Sequence, residues 1–306
     1  MAVVFVVLLL ISSQAAGIQT GTAKKNYQLD VVVHLNKTDY RIGEPVWLTI
    51  RVVNKSEPGP YLDEVVLMAS GLSLFDENDQ RLQAKFFVSH TVRQPMRVND
   101  TLEVSVDVVC RYGESYQYNG SAAAVDSLPP GQYKLVCSLP DNKERVLLFA
   151  VSEPRGVEKQ MYAGFLKIVK LFSLYYQSPQ LDKKSEMIKT TEKEVMRYLT
   201  QYPNSVYSAS LLYQFLAQLE YTKSSMHTII PDLAEEFYVR FPNDPALISV
   251  LGTHSSYYYK KNDFESIRAL YSRMKDMKYG RKITKIAKEV LENLEKKEKK
   301  KAAVTP

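Results

Sequence analysis

The sequence predicts a multidomain β + α fold, an N-terminal antiparallel β-sandwich followed by a C-terminal α-solenoid of helical hairpins, and three observations carry that expectation. One phrase occurs twice, as Tyr202-Pro203-Asn204-Ser205 and Phe241-Pro242-Asn243-Asp244, with the two prolines 39 residues apart. Each copy ends a helix with an aromatic residue and a proline and then offers Ser205 or Asp244, side chains that cap exposed backbone N–H groups. The second observation is period-two alternation in Val46-Trp47-Leu48-Thr49-Ile50-Arg51-Val52-Val53, which buries one face of an antiparallel sheet. The third is a change of composition across Ser152-Glu153-Pro154-Arg155-Gly156. The chain is rich in Val and Thr before this Pro/Gly connector and rich in Lys, Tyr, Leu and Glu at helical spacing after it.

The elements follow in chain order. Ala2 to Ile11 is an unbroken apolar run, and Ser12-Ser13-Gln14-Ala15-Ala16-Gly17 supplies small residues suited to signal-peptidase cleavage, so residues 1–16 read as a secretory signal although no Lys or Arg precedes the run. The run is about ten residues long, against roughly twenty for a membrane-spanning helix. About 290 residues remain, which suits two domains of ordinary size. The expected domains are a sandwich over 27–151, a linker over 152–156, a helical domain over 157–295 and a basic tail over 296–306.

In the β half, Asp30 to Leu35 reads as a first strand, Asn36 to Ile42 as a turn region and Val46 to Val53 as the next strand. Further strands are expected near Val65 to Met68, Leu72 to Phe75, Lys85 to Ser89, Leu102 to Cys110, Gln132 to Cys137 and Val146 to Val151. Eight or so short strands in about 125 residues fit a sandwich. Leu128-Pro129-Pro130-Gly131-Gln132-Tyr133 enters a late strand through a tight turn, which places Tyr133 as a corner tyrosine bonding back to the backbone. With Tyr40, Gly43, Glu44, Pro45 and Val46 at the entry to an early strand, the β half resembles bacterial exported immunoglobulin-like domains over about 120 residues.

Cys110 and Cys137 share the strand phase of apolar neighbours. An oxidising compartment invites a disulfide between them, and the alternative is two buried thiols packing as small hydrophobes. Asn36, Asn54, Asn99 and Asn119 each open an Asn-x-Ser/Thr triplet. They are glycosylation acceptors in a suitably equipped secretory pathway, and equally residues that suit turns.

In the helical half, Phe165, Ile168, Phe172 and Tyr175 form the stripe of a first helix that stops before Ser178-Pro179, and Val195, Tyr198, Leu199 and Tyr202 mark a second. Helices over Ser205 to Leu219, Asp232 to Phe241, Pro245 to Lys260 and Asp263 to Met277 follow, and Ile283, Ile286, Val290 and Leu294 mark a seventh. Tyr202-Pro203-Asn204-Ser205-Val206-Tyr207, together with Tyr258 and Asn262-Asp263-Phe264-Glu265, resembles tetratricopeptide-like proteins, although Ile267 and Ser255 stand where that repeat has a small residue and a glycine. The resemblance implies stacked hairpins that hold another molecule on a concave surface.

Residues 18–153 hold 14 Lys/Arg and 17 Asp/Glu, a net −3, so within a total of +6 residues 154–306 carry +9. Lys296-Lys297-Glu298-Lys299-Lys300-Lys301 extends past the last apolar helical position as a solvated end, with weak contact to an anionic membrane surface as its functional reading. Nucleic acid is not an expected partner, since the chain carries no recognisable nucleic-acid-binding module. Three successive tyrosines on a helix turn through about 200° and cannot all share a buried face. Tyr257, Tyr258 and Tyr259, with Tyr207 and Tyr213, are therefore the candidate partner-binding residues.

Expected catalytic, cofactor and metal residues are none. His34, His90, His227 and His254 are isolated, there is no Gly-x-Ser-x-Gly elbow and no phosphate-cradling glycine loop, and His254 reads as a residue of an ordinary repeat helix. The leading expectation is an exported or cell-envelope, non-enzymatic scaffold that binds a protein or envelope polymer. Two alternatives stay open: a proteinase-inhibitor-like module acting through the loop Arg111 to Ser127, with Tyr112, Tyr116 and Tyr118 as contact residues, and a hydrolase with its site at the domain junction.

Overall fold

The computed structural model describes residues 28–57, 72–82, 96–107, 128–138, 143–177, 181–221, 228–274 and 292. Outside them lie the expected signal segment, the strands expected at 65–68 and 85–89, Cys110, Asn119, residues 111–127, the expected seventh helix apart from Glu292, and residues 296–306. The described residues form two sheets and six helices, a mixed β + α chain in which strands precede helices.

The strands are β1 (Leu29–Leu35), β2 (Asp39–Arg41), β3 (Trp47–Asn54), β4 (Leu72–Phe75), β5 (Arg81–Leu82), β6 (Thr101–Asp107), β7 (Gly131–Ser138) and β8 (Glu144–Ser152). One sheet runs β1-β3-β6, antiparallel throughout; the other runs β2-β8-β7-β4-β5 and is antiparallel except for the β2–β8 pair. Two short strands depart from expectation. The region 36–42, expected as a turn, contains β2, whose three residues pair with Ala150, Val151 and Ser152 more than a hundred positions along the chain. The two-residue β5 pairs with β4 after a turn that holds Asp79 at a positive φ.

Alternation works as the sequence predicts. In β3, Leu48, Ile50 and Val52 are buried, and they join Val31 of β1, Leu72 and Leu74 of β4, Leu135 and Cys137 of β7 and Phe149 and Val151 of β8 in one apolar cluster fed by both sheets. Period two is the geometric cause, since alternate side chains of a strand leave opposite faces. Tyr133 donates its phenolic O–H to the Pro129 carbonyl at 2.7 Å, the corner bond expected of it. A second corner is new. Tyr40 donates to the Asn36 side chain at 2.6 Å and lies 2.9 Å from the Lys37 carbonyl, and its ring meets Phe149 edge-on at 5.7 Å. Gly43, at φ 77°, makes the turn that leads from β2 towards β3, a conformation that costs a side-chain-bearing residue.

Cys137 is a free thiol in this core, and burial pushes its pKa up to about 12, so it is an inert small hydrophobe. Asn54 is fully buried with its amide donating to the Met96 carbonyl at 3.0 Å, which corrects the acceptor reading for that triplet: its nitrogen already serves as structural glue. Asn36 and Asn99 are exposed.

The helices are α1 (Val157–Gln177), α2 (Leu181–Gln201), α3 (Ser208–Tyr221), α4 (Ile230–Arg240), α5 (Leu247–Lys260) and α6 (Phe264–Met274). The chain divides into two compact units between Tyr162 and Ala163, inside α1. In the first unit, the Glu158 side chain reaches back over the first turn of α1 to accept the Arg155 N–H at 3.1 Å, while its own N–H donates to the Arg155 carbonyl at 2.9 Å. Arg41 at the end of β2 donates to Glu158 at 2.9 Å and to the Ser152 hydroxyl at 2.5 Å, and Tyr162 packs on the β core. The first turn and a half of α1 is therefore fastened to the strands before it.

In the second unit, α3 packs on α2, α4 and α5, and α5 packs on α3, α4 and α6. Gly164 permits a close approach of α1 and α2: a Cβ there would lie 3.1 Å from the Tyr198 ring.

Candidate functional site

The two copies of the repeated phrase fold alike bond for bond. At a constant offset of 39, Tyr202 N–H donates to the Tyr198 carbonyl and Phe241 N–H to that of Phe237, both at 2.8 Å. Ser205 N–H reaches the Tyr202 carbonyl and Asp244 N–H that of Phe241, both at 3.1 Å. Ser208 N–H bonds to Ser205 at 3.0 Å and Leu247 N–H to Asp244 at 3.1 Å; Leu211 to Tyr207 at 2.9 Å corresponds to Val250 to Ala246 at 3.0 Å. The capping side chains also correspond, with Ser205 Oγ accepting the Tyr207 N–H at 3.3 Å and Asp244 Oδ1 the Ala246 N–H at 2.8 Å. Both side chains act as expected, but α3 and α5 begin three residues beyond them, at Ser208 and Leu247, because 205–207 and 244–246 complete a turn first. The aromatic pairs match too: Tyr198–Tyr202 at 5.1 Å and Phe237–Phe241 at 5.3 Å.

The copies part company behind these turns. At the same offset, Leu199, Phe215, Leu216 and Leu219 of the first copy, all buried, correspond to Tyr238, His254, Ser255 and Tyr258 of the second. An apolar cluster has become a polar, aromatic one. His254 is only 1 % exposed; its Nδ1 lies 3.2 Å from the Tyr238 hydroxyl, and its ring lies between those of Tyr238 at 5.9 Å and Tyr258 at 4.9 Å. Arg273 of α6 covers the Tyr238 ring at 5.8 Å and pairs with Glu235 of α4 at 2.5 Å. The stack continues from Tyr258 to Tyr257 at 5.4 Å, and Lys261 sits 4.4 Å above the Tyr257 ring. His254 is thus the centre of a ladder of rings with a cation near each end.

Its electrostatics follow from burial. Desolvation lowers the His254 pKa to about 4, with Glu235 working to raise it and Arg273 to lower it further, so the imidazole is neutral at pH 7. Desolvation also drives the Tyr238 hydroxyl well above its ordinary value. Whichever way the Tyr238–His254 bond runs, Nε2 has no hydrogen-bond partner, nor do the two polar atoms of Gln218, a residue 1 % exposed on α3. A buried polar group left unpaired costs roughly 1–3 kcal/mol, so each copy carries such a cost, the first at Gln218 and the second at His254.

The expected partner-binding tyrosines fare unequally. Tyr207 is 1 % exposed and stacked on Phe165 at 4.7 Å, so it has no surface to offer a partner: its ring is a packing element of the first copy. Tyr213 is half-buried on α3. Tyr257, Tyr258 and Tyr259 are all half-buried on α5, with Tyr258 against His254, Tyr257 under Lys261 and Tyr259 6.2 Å from Phe264. Tyr238 and Gln218 carry no signal in a single pass along the sequence; setting the two copies side by side at 39 residues would have paired Tyr238 with Leu199 and flagged it.

The cluster carries no nucleophile arrangement. Ser255 Oγ donates to the Leu251 carbonyl at 2.7 Å, one turn back on its own helix. Among the described residues no group of His, Cys, Asp and Glu is placed to hold a metal ion, and no helix is long and apolar enough to cross a membrane.

No family model and no curated protein matches the chain. Among solved structures it is similar to the β-glucosidase from Listeria innocua, with 9 % identity and a TM-score of 0.27 for a mutant in complex with laminaribiose, and 11 % identity and TM-scores of 0.26 and 0.27 for the complexes with gluconolactone and glucose. Each match covers 43 % of this chain and 17 % of the other, so the chain spans about a sixth of the length of the structures it matches.

Proposed function

We propose that the chain is an exported, non-enzymatic binding scaffold, with an immunoglobulin-like β-sandwich followed by a tetratricopeptide-like α-solenoid that holds a protein or envelope polymer. The observation that carries this reading is the bond-for-bond correspondence of the turns at 202–208 and 241–247. A repeated turn geometry at fixed spacing, with α3 packed against α5 as well as against the intervening α4, is the neighbour-on-neighbour contact that a solenoid requires and supports this reading. The sandwich half of the reading is supported by one core fed by both sheets and by the corner bonds of Tyr40 and Tyr133. Tyr213, Tyr257 and Tyr259 are the contact residues this reading retains, because they combine partial exposure with a rigid amphipathic ring.

The test is crosslinking of the full chain in its native extracellular or envelope fraction, with mass spectrometry of the products and the Y213A/Y257A/Y259A variant in parallel. A partner crosslinked to α3 and α5 and lost in the variant supports the scaffold. A partner captured equally by both proteins, or turnover of generic hydrolase substrates, overturns it.

A further inference from the structure

We infer that the packing of α5 against α4 and α6 is an acid-sensitive latch, closed while the His254 imidazole is neutral and opened when it takes up a proton, with the strands and the first helical copy left closed. The latch does not depend on what the helices bind. Its basis is geometric. His254 is 1 % exposed, with Nδ1 at 3.2 Å from the Tyr238 hydroxyl and Nε2 without a hydrogen-bond partner. Neutral, the ring orphans one uncharged nitrogen. An imidazolium is a donor at both nitrogens, so it would bury a charged N–H with no acceptor and oblige the Tyr238 hydroxyl to accept rather than donate. A buried charge without a partner costs far more than a buried neutral group without one, and parting the helices to admit water relieves it.

The charged and titratable groups around the imidazole do not supply the missing acceptor. From α4, Glu235 attracts a proton on His254, but its carboxylate is already paired with Arg273, and Tyr238 meets Nδ1. From α6, Arg273 repels that proton, and the Tyr271 hydroxyl shares a hydrogen bond with Ser255. On α5 itself, Tyr258 meets the imidazole ring to ring at 4.9 Å, with Tyr257 and Lys261 beyond it. From α3, Glu220 accepts the Thr253 hydroxyl at 2.9 Å. The flanking rings offer an imidazolium some cation–π attraction, but the Tyr238 ring already faces the Arg273 cation at 5.8 Å. Desolvation outweighs the rest and holds the His254 pKa down to about 4. The opening is confined by where these groups stand. The first copy has Leu199, Phe215, Leu216 and Leu219 at the corresponding positions, none of which titrates. Helix α6 packs on α5 and is tied to α4 by the Arg273–Glu235 pair, so the three helices share one proton-sensitive contact. Proteins open in such contiguous units at less cost than they unfold as a whole.

Amide hydrogen exchange of the full chain, followed by mass spectrometry at pH 7 and pH 5 and corrected for the intrinsic pH dependence of exchange, tests the latch. With a closed-state value of about 4 and an open-state value near 6.5, the opening equilibrium should rise about twenty-fold from pH 7 to pH 5 in peptides from α4, α5 and α6. Peptides from α2 and the strands should change little. His254→Phe removes the titrating ring, and Tyr238→Leu/His254→Phe gives the second copy the residue types of the first; both should abolish the regional difference. A loss of protection spread evenly over α2 and the strands, no change in α4 to α6, or an equal rise in either folded variant would each overturn the latch. Should neither variant fold, the regional pattern in the unaltered chain decides.

Discussion

The two copies of the helical repeat use the same turn to opposite ends. Behind the first turn, Leu199, Phe215, Leu216 and Leu219 form an apolar interior; behind the second, Tyr238, His254, Ser255 and Tyr258 form a polar one with an unpaired imidazole nitrogen. The lesson is that turn geometry and interior chemistry are separately specified. Backbone bonds local to each turn fix the former, and side-chain pairs on different helices, such as Tyr238 and His254 sixteen residues apart, fix the latter.

Exchanging the interiors should break the comparison most severely. Phe215→His places an imidazole where no tyrosine waits at Leu199, and both lost apolar contact and unpaired ring nitrogens should cost about 3–4 kcal/mol, read from urea unfolding. Acid should expose the same asymmetry in the unaltered chain. Folded His254 stays neutral down to about pH 4, whereas its unfolded counterpart takes up a proton near 6.5, so the unfolded state binds more protons between these values. Stability must fall as the pH is lowered through that window and level off below it, with a contribution of up to about 3 kcal/mol. A wild-type chain whose stability is no more acid-sensitive between pH 6.5 and 4 than that of His254→Phe would sink this account. The reverse exchange, His254→Phe, removes the orphaned nitrogen but also leaves the buried Tyr238 hydroxyl without its imidazole partner, so the two costs of about 1–3 kcal/mol should nearly cancel at pH 7, while the acid response should flatten.

Smaller changes sharpen the comparison at the turns. Ser205→Ala should cost somewhat more than Asp244→Ala, about 1.5 against 1 kcal/mol. Ser205 Oγ also lies 2.8 Å from the buried Tyr198 hydroxyl, a contact Ser205→Ala removes in addition to the cap, whereas Asp244 Oδ1 accepts the Ala246 N–H at 2.8 Å. The smallest effect belongs to Gly252, the second copy's counterpart of Tyr213. It lies mid-helix in α5 with nothing within 4 Å of an added Cβ, so Gly252→Ala should stabilise by roughly 0.5–1 kcal/mol in thermal unfolding.

Much of this is readable in the sequence itself. The repeated turn is legible because its bonds join residues three or four apart, and the long strands because Val, Ile and Leu alternate within one segment. Strand β2 is not: three residues carry too little pattern, and what makes Asp39–Arg41 a strand is Ala150 to Ser152, far along the chain. Tyr207 reads as a candidate contact residue at a helix entry, and its stacking on Phe165 of α1, far back in the chain, is what the sequence does not announce. His254 reads as a residue of a repeat helix and lies on one, but its unpaired nitrogen depends on Tyr238 taking only one side of the ring. Tyrosine runs announce that some rings must emerge without saying which.

The fastening of α1 to the strands has a bearing on how such a protein can be taken apart. The Pro154–Gly156 stretch looks like the natural place to cut, swap or fuse, yet a piece ending there would lack Glu158, the acceptor for Arg41, and Tyr162, a lid on the β core. The modular seam is not where the breaker residues stand but about a turn and a half later, between Tyr162 and Ala163, inside regular helix. A piece meant to keep its strands whole should therefore carry the helix at least through Tyr162, and any insertion between Gly156 and Tyr162 should be felt first at the Arg41 end of β2.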